Sequence, residues 1–237
     1  MLKAVVFDLD GTLTVLTVPL EAMRRDTKQF LFNRGLPEGI IDRSDGISSS
    51  TFKAKAHFLS QGMALSEWER LEAEIESMLS GYESSAAEDV RPIDGALDVV
   101  REVRARGLKT AILTNNGRQA VDIVLGMIPM GSLFDLVQTR NESPTPKPFP
   151  DGLMAIARKL GVKMTEAVYV GDASIDAAAA ARAGIEFWGV TTGETSRDIL
   201  LSGGAKLVFG SLGEILPPID DRLQRHLRGS ARNRSGP

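Results

Sequence analysis

From residue 90 onward the chain alternates short runs rich in β-branched residues with segments of helical length. The runs are Lys109–Thr114 (KTAILT), Asp135–Thr139, Ala167–Gly171 (AVYVG), Glu186–Val190 and Lys206–Phe209, and helix-compatible stretches lie near 95–106, 118–127, 151–160, 174–183 and 195–202. Strands that alternate with helices of this length make βαβ units, and strands covered on both faces read as continuous apolar runs. With AVVFD at residues 4–8 as a further buried strand, the pattern predicts an α/β fold: a Rossmann-like parallel sheet with helices on both faces.

Residues 15–90 have a different character. The stretches 19–35, 48–62 and 66–82 carry helical periodicity, with apolar residues three or four apart such as Trp68, Leu71, Ile75, Met78 and Leu79, and Ser66 followed by Glu69 reads as a capping-box start. A segment this long is not a structureless loop in a compact domain. The expectation is an inserted all-helical cap domain over 15–90, between core segments 1–14 and 91–219. Emerging after the first strand, it would overhang the carboxyl ends of the strands, where open α/β sheets bind ligands. Residues 220–237, with Arg222, Arg225, Arg228, Arg232 and Arg234, read as a basic, poorly ordered tail.

Composition removes whole classes of chemistry. There is no cysteine and the only histidines are His57 and His226, so a thiolate nucleophile, a disulfide framework and a Cys/His zinc cage are excluded. Any metal must be held by oxygen. A formal charge of −3 offers no general attraction to nucleic acid, and no apolar run approaches the length of a membrane span. Asp8 and Asp10 interrupt the first apolar run, and no small-residue cleavage site follows. The expectation is a cytoplasmic protein, monomer or homodimer, with neither nucleic acid nor membrane as partner.

The chemistry gathers at strand ends. Asp8 and Asp10 follow the first strand, and Asp172 and Asp176 follow AVYVG. If these strands are neighbours, four carboxylates converge and repel one another; a hard divalent cation resolves this, and oxygen-only ligands point to Mg2+. Thr114-Asn115 ends another strand with a hydroxyl and free backbone donors, suited to a phosphate. Lys147 stands between Pro146 and Pro148, a point charge on a stiffened loop. Each feature also has an ordinary reading. Asp10-Gly11 between apolar runs is a hairpin-turn signal, Asp172 and Asp176 suit a helix N-terminus, Thr114 to Gly117 suits a strand-to-helix turn, and Lys147 suits a solvent-facing loop. None of these ordinary readings predicts the other stations.

Taken in order, Asp8-x-Asp10-Gly11-Thr12, Thr114-Asn115, Lys147 before a proline, and Gly171-Asp172-x-x-x-Asp176 resemble the four motifs of the haloacid dehalogenase (HAD) superfamily of phosphohydrolases. Within it the chain looks most like the phosphoglycolate-phosphatase-type branch with an α-helical cap. The resemblance implies a phosphomonoester hydrolase acting on a small phosphorylated metabolite. Asp8 would be the nucleophile that forms an aspartyl-phosphate, and Asp10 the general acid and then base. Mg2+ would be held by Asp8, the carbonyl of Asp10 and Asp172, with Asp176 joining through water or bracing Lys147. Thr114, Asn115 and Lys147 would receive the phosphoryl oxygens. Arg24, Arg25, Arg43, Lys53, Lys55 and His57 are cap candidates for meeting an anionic substrate. A phosphosugar mutase of the same superfamily, and a catalytically silent binding relative, are the alternatives. The silent relative would be expected to lose one of the aspartates, all of which are present.

Overall fold

β1 (Ala4–Phe7) is buried at every position, and its side chains alternate between two cores. Val5 and Phe7 enter one with Ile112, Val168, Val170 and Trp188, whereas Ala4 and Val6 enter the other with Ala111, Leu113 and Tyr169. This period-two alternation within a wholly apolar run marks a strand covered on both sides. The computed structural model describes residues 1–15 and 18–232, with 226–232 described as backbone only.

After β1 come β2 (Thr14–Val15), helices α1 (Leu20–Asn33), α2 (Ile47–Ser60) and α3 (Leu65–Ala87), then β3 (Arg91–Pro92) and α4 (Ala96–Ala105). β4 (Lys109–Leu113), α5 (Arg118–Met127), β5 (Leu136–Gln138), α6 (Asp151–Leu160), β6 (Ala167–Gly171) and α7 (Ser174–Ala183) follow. The described chain ends with β7 (Glu186–Val190), α8 (Arg197–Ser202), β8 (Leu207–Phe209) and α9 (Leu216–Arg232). Six strands form a parallel sheet in the order β5-β4-β1-β6-β7-β8. From β1 the chain builds outward through β4 and β5, then crosses to β6 on the other side. The order of construction thus reverses at β1, and a crevice opens at the carboxyl ends of β1, β4 and β6.

α4, α5 and α9 cover the first core, and α6, α7 and α8 the second. In α7 the buried Ala177, Ala179 and Ala180 bring helix and sheet close together. The inserted helices have a third core of their own, built from Met23, Leu31, Phe58, Trp68, Leu71, Ile75 and Leu79 among others. Each buried side chain of this kind contributes about 1.5–3 kcal/mol, so the helical cap is supported by its own apolar surface.

Two local expectations and one of the ordinary readings are corrected. The Asp10-Gly11 turn is tight, with Gly11 at φ 76° and its N–H on Thr14 O at 2.8 Å, but β2 does not fold back on β1 as a hairpin. It pairs antiparallel with β3, because the chain must leave and re-enter the core at the same neck. α3 starts at Leu65 with no side-chain cap, since Trp68 N–H already reaches Ala64 O at 3.1 Å; Ser66 therefore does not cap it. The tail expected from residue 220 is helical to Arg232. Ile219 is buried in the first core, Asp220 takes the Arg106 fork at 2.6 and 3.1 Å, and Arg222 reaches Glu186 while lying over the Trp188 ring. Residues 233–237, including Arg234, and the side chains of Arg228 and Arg232 lie outside the described residues.

Candidate active site

Asp8 N–H donates to Val170 O at 2.8 Å, which extends the β1–β6 pairing one residue past the strand and turns the Asp8 carboxylate into the crevice. Lys147 meets it there. Its Nζ donates to Asp8 Oδ1 at 2.6 Å, to Asp176 Oδ1 at 2.7 Å and to the Tyr169 hydroxyl at 3.1 Å. All four residues are buried. Asp176 also accepts the Tyr169 hydroxyl at 2.6 Å and the Ala173 N–H at 3.0 Å, so one carboxylate begins α7 and anchors the lysine. The Lys147–Pro148 peptide bond is cis.

Asp10, two residues from Asp8, has different partners. Asn116 Nδ2 donates to its Oδ2 at 2.6 Å, and the Thr14 hydroxyl to its Oδ1 at 3.2 Å. The two aspartates of one short segment are thus separated by environment: one faces an ammonium, the other an amide and a hydroxyl. Asp172 lies under the turn that follows β1, where the Thr12 hydroxyl approaches it at 3.4 Å. Two glycines let the backbone pass close to this carboxylate. A Cβ on Gly11 would fall 2.5 Å from Asp172 Oδ2, and one on Gly193 only 1.7 Å from it.

The crevice holds more negative charge than Lys147 neutralises. Burial, then the neighbouring Asp176, push Asp8 well above the ordinary carboxylate range against the pull of Lys147. Burial and Asp8 raise Asp10 to about 7, and burial and Asp176 raise Asp172 to about 7. Burial works against the charge on Lys147, but Asp176 and Asp8 outweigh it and hold the ammonium above its ordinary range. Carboxylate oxygens of Asp8, Asp172 and Asp176 come within 4.8 Å of one another. An all-oxygen donor set and excess negative charge fit a hard divalent cation.

The loop after β4 supplies the facing wall. Thr114 is buried and its Oγ1 accepts the Asn116 N–H at 3.0 Å. Asn115 pairs reciprocally with the Lys147 backbone, accepting its N–H at 2.9 Å and donating to its carbonyl at 2.8 Å. A cavity of about 250 Å³ lies between this wall and the cap, bordered by Asn115, Asn116 and Lys147 below and by Arg24, Ser48 and Ser49 above. Among the cap candidates, Arg24 borders that cavity, with Glu21 as its partner at 2.8 Å. Arg25 pairs with Asp26, Lys53 with Asp42 and Asp45, and Lys55 approaches Glu72 at 3.9 Å. His57 lies against the Phe58 ring, and the Arg43 carbonyl accepts from Lys28.

Sequence reasoning brought Asp8, Asp10, Thr114, Asn115, Lys147, Asp172 and Asp176 to one crevice, and the fold places all of them there. It gave no role to Thr14, to the Asn116 side chain, to Tyr169 or to Arg140. Tyr169 carried a signal: a hydroxyl inside an otherwise apolar central strand must find a partner. Arg140 carried a weaker one, its position just past the carboxyl end of a parallel strand.

The parallel sheet, the buried aspartate–lysine pair at its carboxyl end and the helical cap above it define a capped α/β protein with a charged crevice at its strand ends. Comparison with known proteins sharpens this. The sequence model of the haloacid dehalogenase-like hydrolases matches residues 2–184, and the chain belongs to that family. Phosphoglycolate phosphatase 1 of Pseudomonas aeruginosa is 28% identical over 226 residues, 94% of this chain and 81% of the relative. A phosphoglycolate phosphatase of Neisseria meningitidis is 27% identical over 218 residues, 90% and 92% of the two chains. Among solved structures, a hydrolase from Pseudomonas syringae superposes with a TM-score of 0.64 at 25% identity, covering 92% of this chain and 98% of its own.

Proposed function

We propose that the chain is a Mg2+-dependent phosphomonoester hydrolase that works through an aspartyl-phosphate on Asp8. The observation that carries this is the division between two aspartates two residues apart: Asp8 is held by Lys147, and Asp10 by Asn116 and Thr14. Lys147 engages Asp8 Oδ1, leaving Oδ2 to attack phosphorus. As that P–O bond forms and the ester P–O bond breaks, Asp10 gives its proton to the departing alkoxide. It then takes a proton from the water that attacks the aspartyl-phosphate, which releases phosphate and restores Asp8. An acid raised to about 7 suits a group that must give and take a proton near neutrality. The Thr114 hydroxyl, the Asn115 backbone and the Lys147 ammonium would receive the phosphoryl oxygens. Asp8, the Asp10 carbonyl and Asp172 would hold Mg2+, which when bound neutralises carboxylate and phosphoryl charge together. Asp176 braces Lys147 in this reading, because both of its oxygens already accept hydrogen bonds.

The substrate is a small phosphate ester, and phosphoglycolate is the first candidate. The named activity of the relatives supports it, as does a cavity of about 250 Å³ bordered by Arg24 and the serines at the start of α2, residue types that suit a second anionic group. The test is phosphate release from p-nitrophenyl phosphate and from phosphoglycolate with Mg2+, with and without EDTA, beside Asp8→Asn. Metal-dependent release abolished in the variant is expected. Absence of metal-dependent turnover, or full activity in Asp8→Asn, would sink the reading.

A further inference from the structure

Arg140, just past the end of β5, is connected to the site by two separate routes. Its backbone N–H donates to Asn116 O at 3.1 Å, and the Asn116 side chain holds Asp10. Its guanidinium donates through Nη1 to Asn115 O at 2.5 Å, and the Asn115 side chain grips the Lys147 backbone, whose ammonium holds Asp8. On its other side the same guanidinium meets two carboxylates of the cap helix α3. It forks onto Glu76 at 2.7 and 3.0 Å and onto Glu83 at 2.6 and 3.1 Å. All the N–H donors of the arginine are thereby in use. Glu83 is buried and also accepts the Gly117 N–H at 2.9 Å. Being two helical turns apart, Glu76 and Glu83 present one face of α3 to this cluster.

Stability alone is a poor account of such a cluster. The guanidinium and the Glu83 carboxylate are held largely away from water while Glu76 is partly exposed, and well-packed apolar side chains are often as stable as a buried pair or more so. What the arrangement provides is a fixed geometry: a planar fork whose remaining donor reaches the carbonyl of the phosphate-facing loop. We propose that Arg140 is a positioning residue that holds Asn115, and through it Lys147, in line with Asp8 only while Glu76 and Glu83 of the cap are docked. Docking of the cap and assembly of the phosphate-facing wall are then one event. The inference rests on the phosphatase reading above.

The test compares Arg140→Lys, Arg140→Ala and the combined variant Arg140→Ala/Glu76→Gln/Glu83→Gln on p-nitrophenyl phosphate with Mg2+. Arg140→Lys keeps the charge but lacks the fork, and its kcat is expected to fall by about tenfold or more while KM moves by less than about threefold. Arg140→Ala strands two carboxylates, and the combined variant removes their charge so that folding is preserved. That variant is expected to remain slow because nothing holds Asn115 O. Added guanidinium ion is expected to restore part of the rate to Arg140→Ala and none to Lys147→Ala. A folded Arg140→Lys or combined variant with kcat within about twofold of the parent would overturn the proposal and leave Arg140 a structural residue. An inactive parent chain would instead overturn the phosphatase reading, so the two failures are distinguishable.

Discussion

Lys147 Nζ lies 2.6 Å from Asp8 Oδ1 in an ion pair closed off from water, between residues 139 positions apart in the chain. The pair joins a loop following β5 to the end of the central strand. It also occupies Oδ1 with the ammonium and leaves Oδ2 as the oxygen that would bond to phosphorus, so one contact serves both folding and chemistry.

Replacing Lys147 by Met tests both roles. Breaking a buried pair by removing one partner costs about 3–5 kcal/mol, because the remaining charge is uncompensated. Asp8 and Asp176 both lose their counter-ion here. Urea unfolding at pH 8 without metal is expected to show a loss of that order, and a smaller one at pH 5, where Asp8 can protonate. Hydrolysis of p-nitrophenyl phosphate is expected to fall by about a hundredfold or more, the scale seen when a donor facing developing charge is removed. Equal stability losses at the two pH values would show that the pair carries no net charge burden.

A second prediction concerns pH and metal. In the metal-free protein Asp10 and Asp172 are raised to about 7, and Asp8 is also raised well above its ordinary value. Between about pH 4 and pH 7 the folded state therefore binds more protons than the unfolded chain, and stability falls as pH rises through that window. Lys147, raised above its ordinary value, is charged in both states throughout this range and adds no slope. A bound divalent cation neutralises the carboxylates and removes the penalty. Melting temperatures with EDTA are expected to drop from pH 5 to pH 8, and Mg2+ is expected to raise the melting temperature more at pH 8 than at pH 5. An equal shift at both pH values would argue against cation binding at these carboxylates.

Much of this molecule is readable from its chain, and the reason is local. AVYVG and EFWGV are strands over the very residues expected, and the helices at 118–127, 151–160 and 174–183 begin and end where their apolar periodicity does. Strand ends then locate Asp8, Asp10, Thr114 and Asp172 without any knowledge of contacts. What stayed hidden depends on partners far apart in sequence. Asn116 looked like a turn residue until the fold brought it to Asp10, 106 positions away. Arg140 is singled out only by the fold, which brings it Glu76 and Glu83 from the cap, 64 and 57 positions away. The C-terminal segment looked unstructured because charged residues dominate it, yet one apolar edge at Ile219 and Leu223 suffices to lay α9 on the first core.

The last prediction uses a residue with no side chain. Gly193 follows β7, and a Cβ there would fall 1.7 Å from Asp172 Oδ2, closer than any real contact, so Gly193→Ala must move that carboxylate or the loop that carries the methyl group. The neighbouring Thr192 hydroxyl is bonded to Gly11 O at 2.5 Å, which ties the loop to the turn beneath the site and leaves the Asp172 side chain as the part that gives way. Gly193 is not at a positive φ, so alanine adds no backbone strain there. A metal site tolerates displacement of about 0.5 Å before its geometry is lost. Gly193→Ala is therefore expected to fold but to need about tenfold or more Mg2+ for half-maximal activity, with kcat at saturating metal reduced less. Titrating p-nitrophenyl phosphate hydrolysis with Mg2+ for both proteins checks this. A folded variant with an unchanged Mg2+ requirement would remove Asp172 from the metal site and leave its raised pKa to be explained by Asp176 and burial alone.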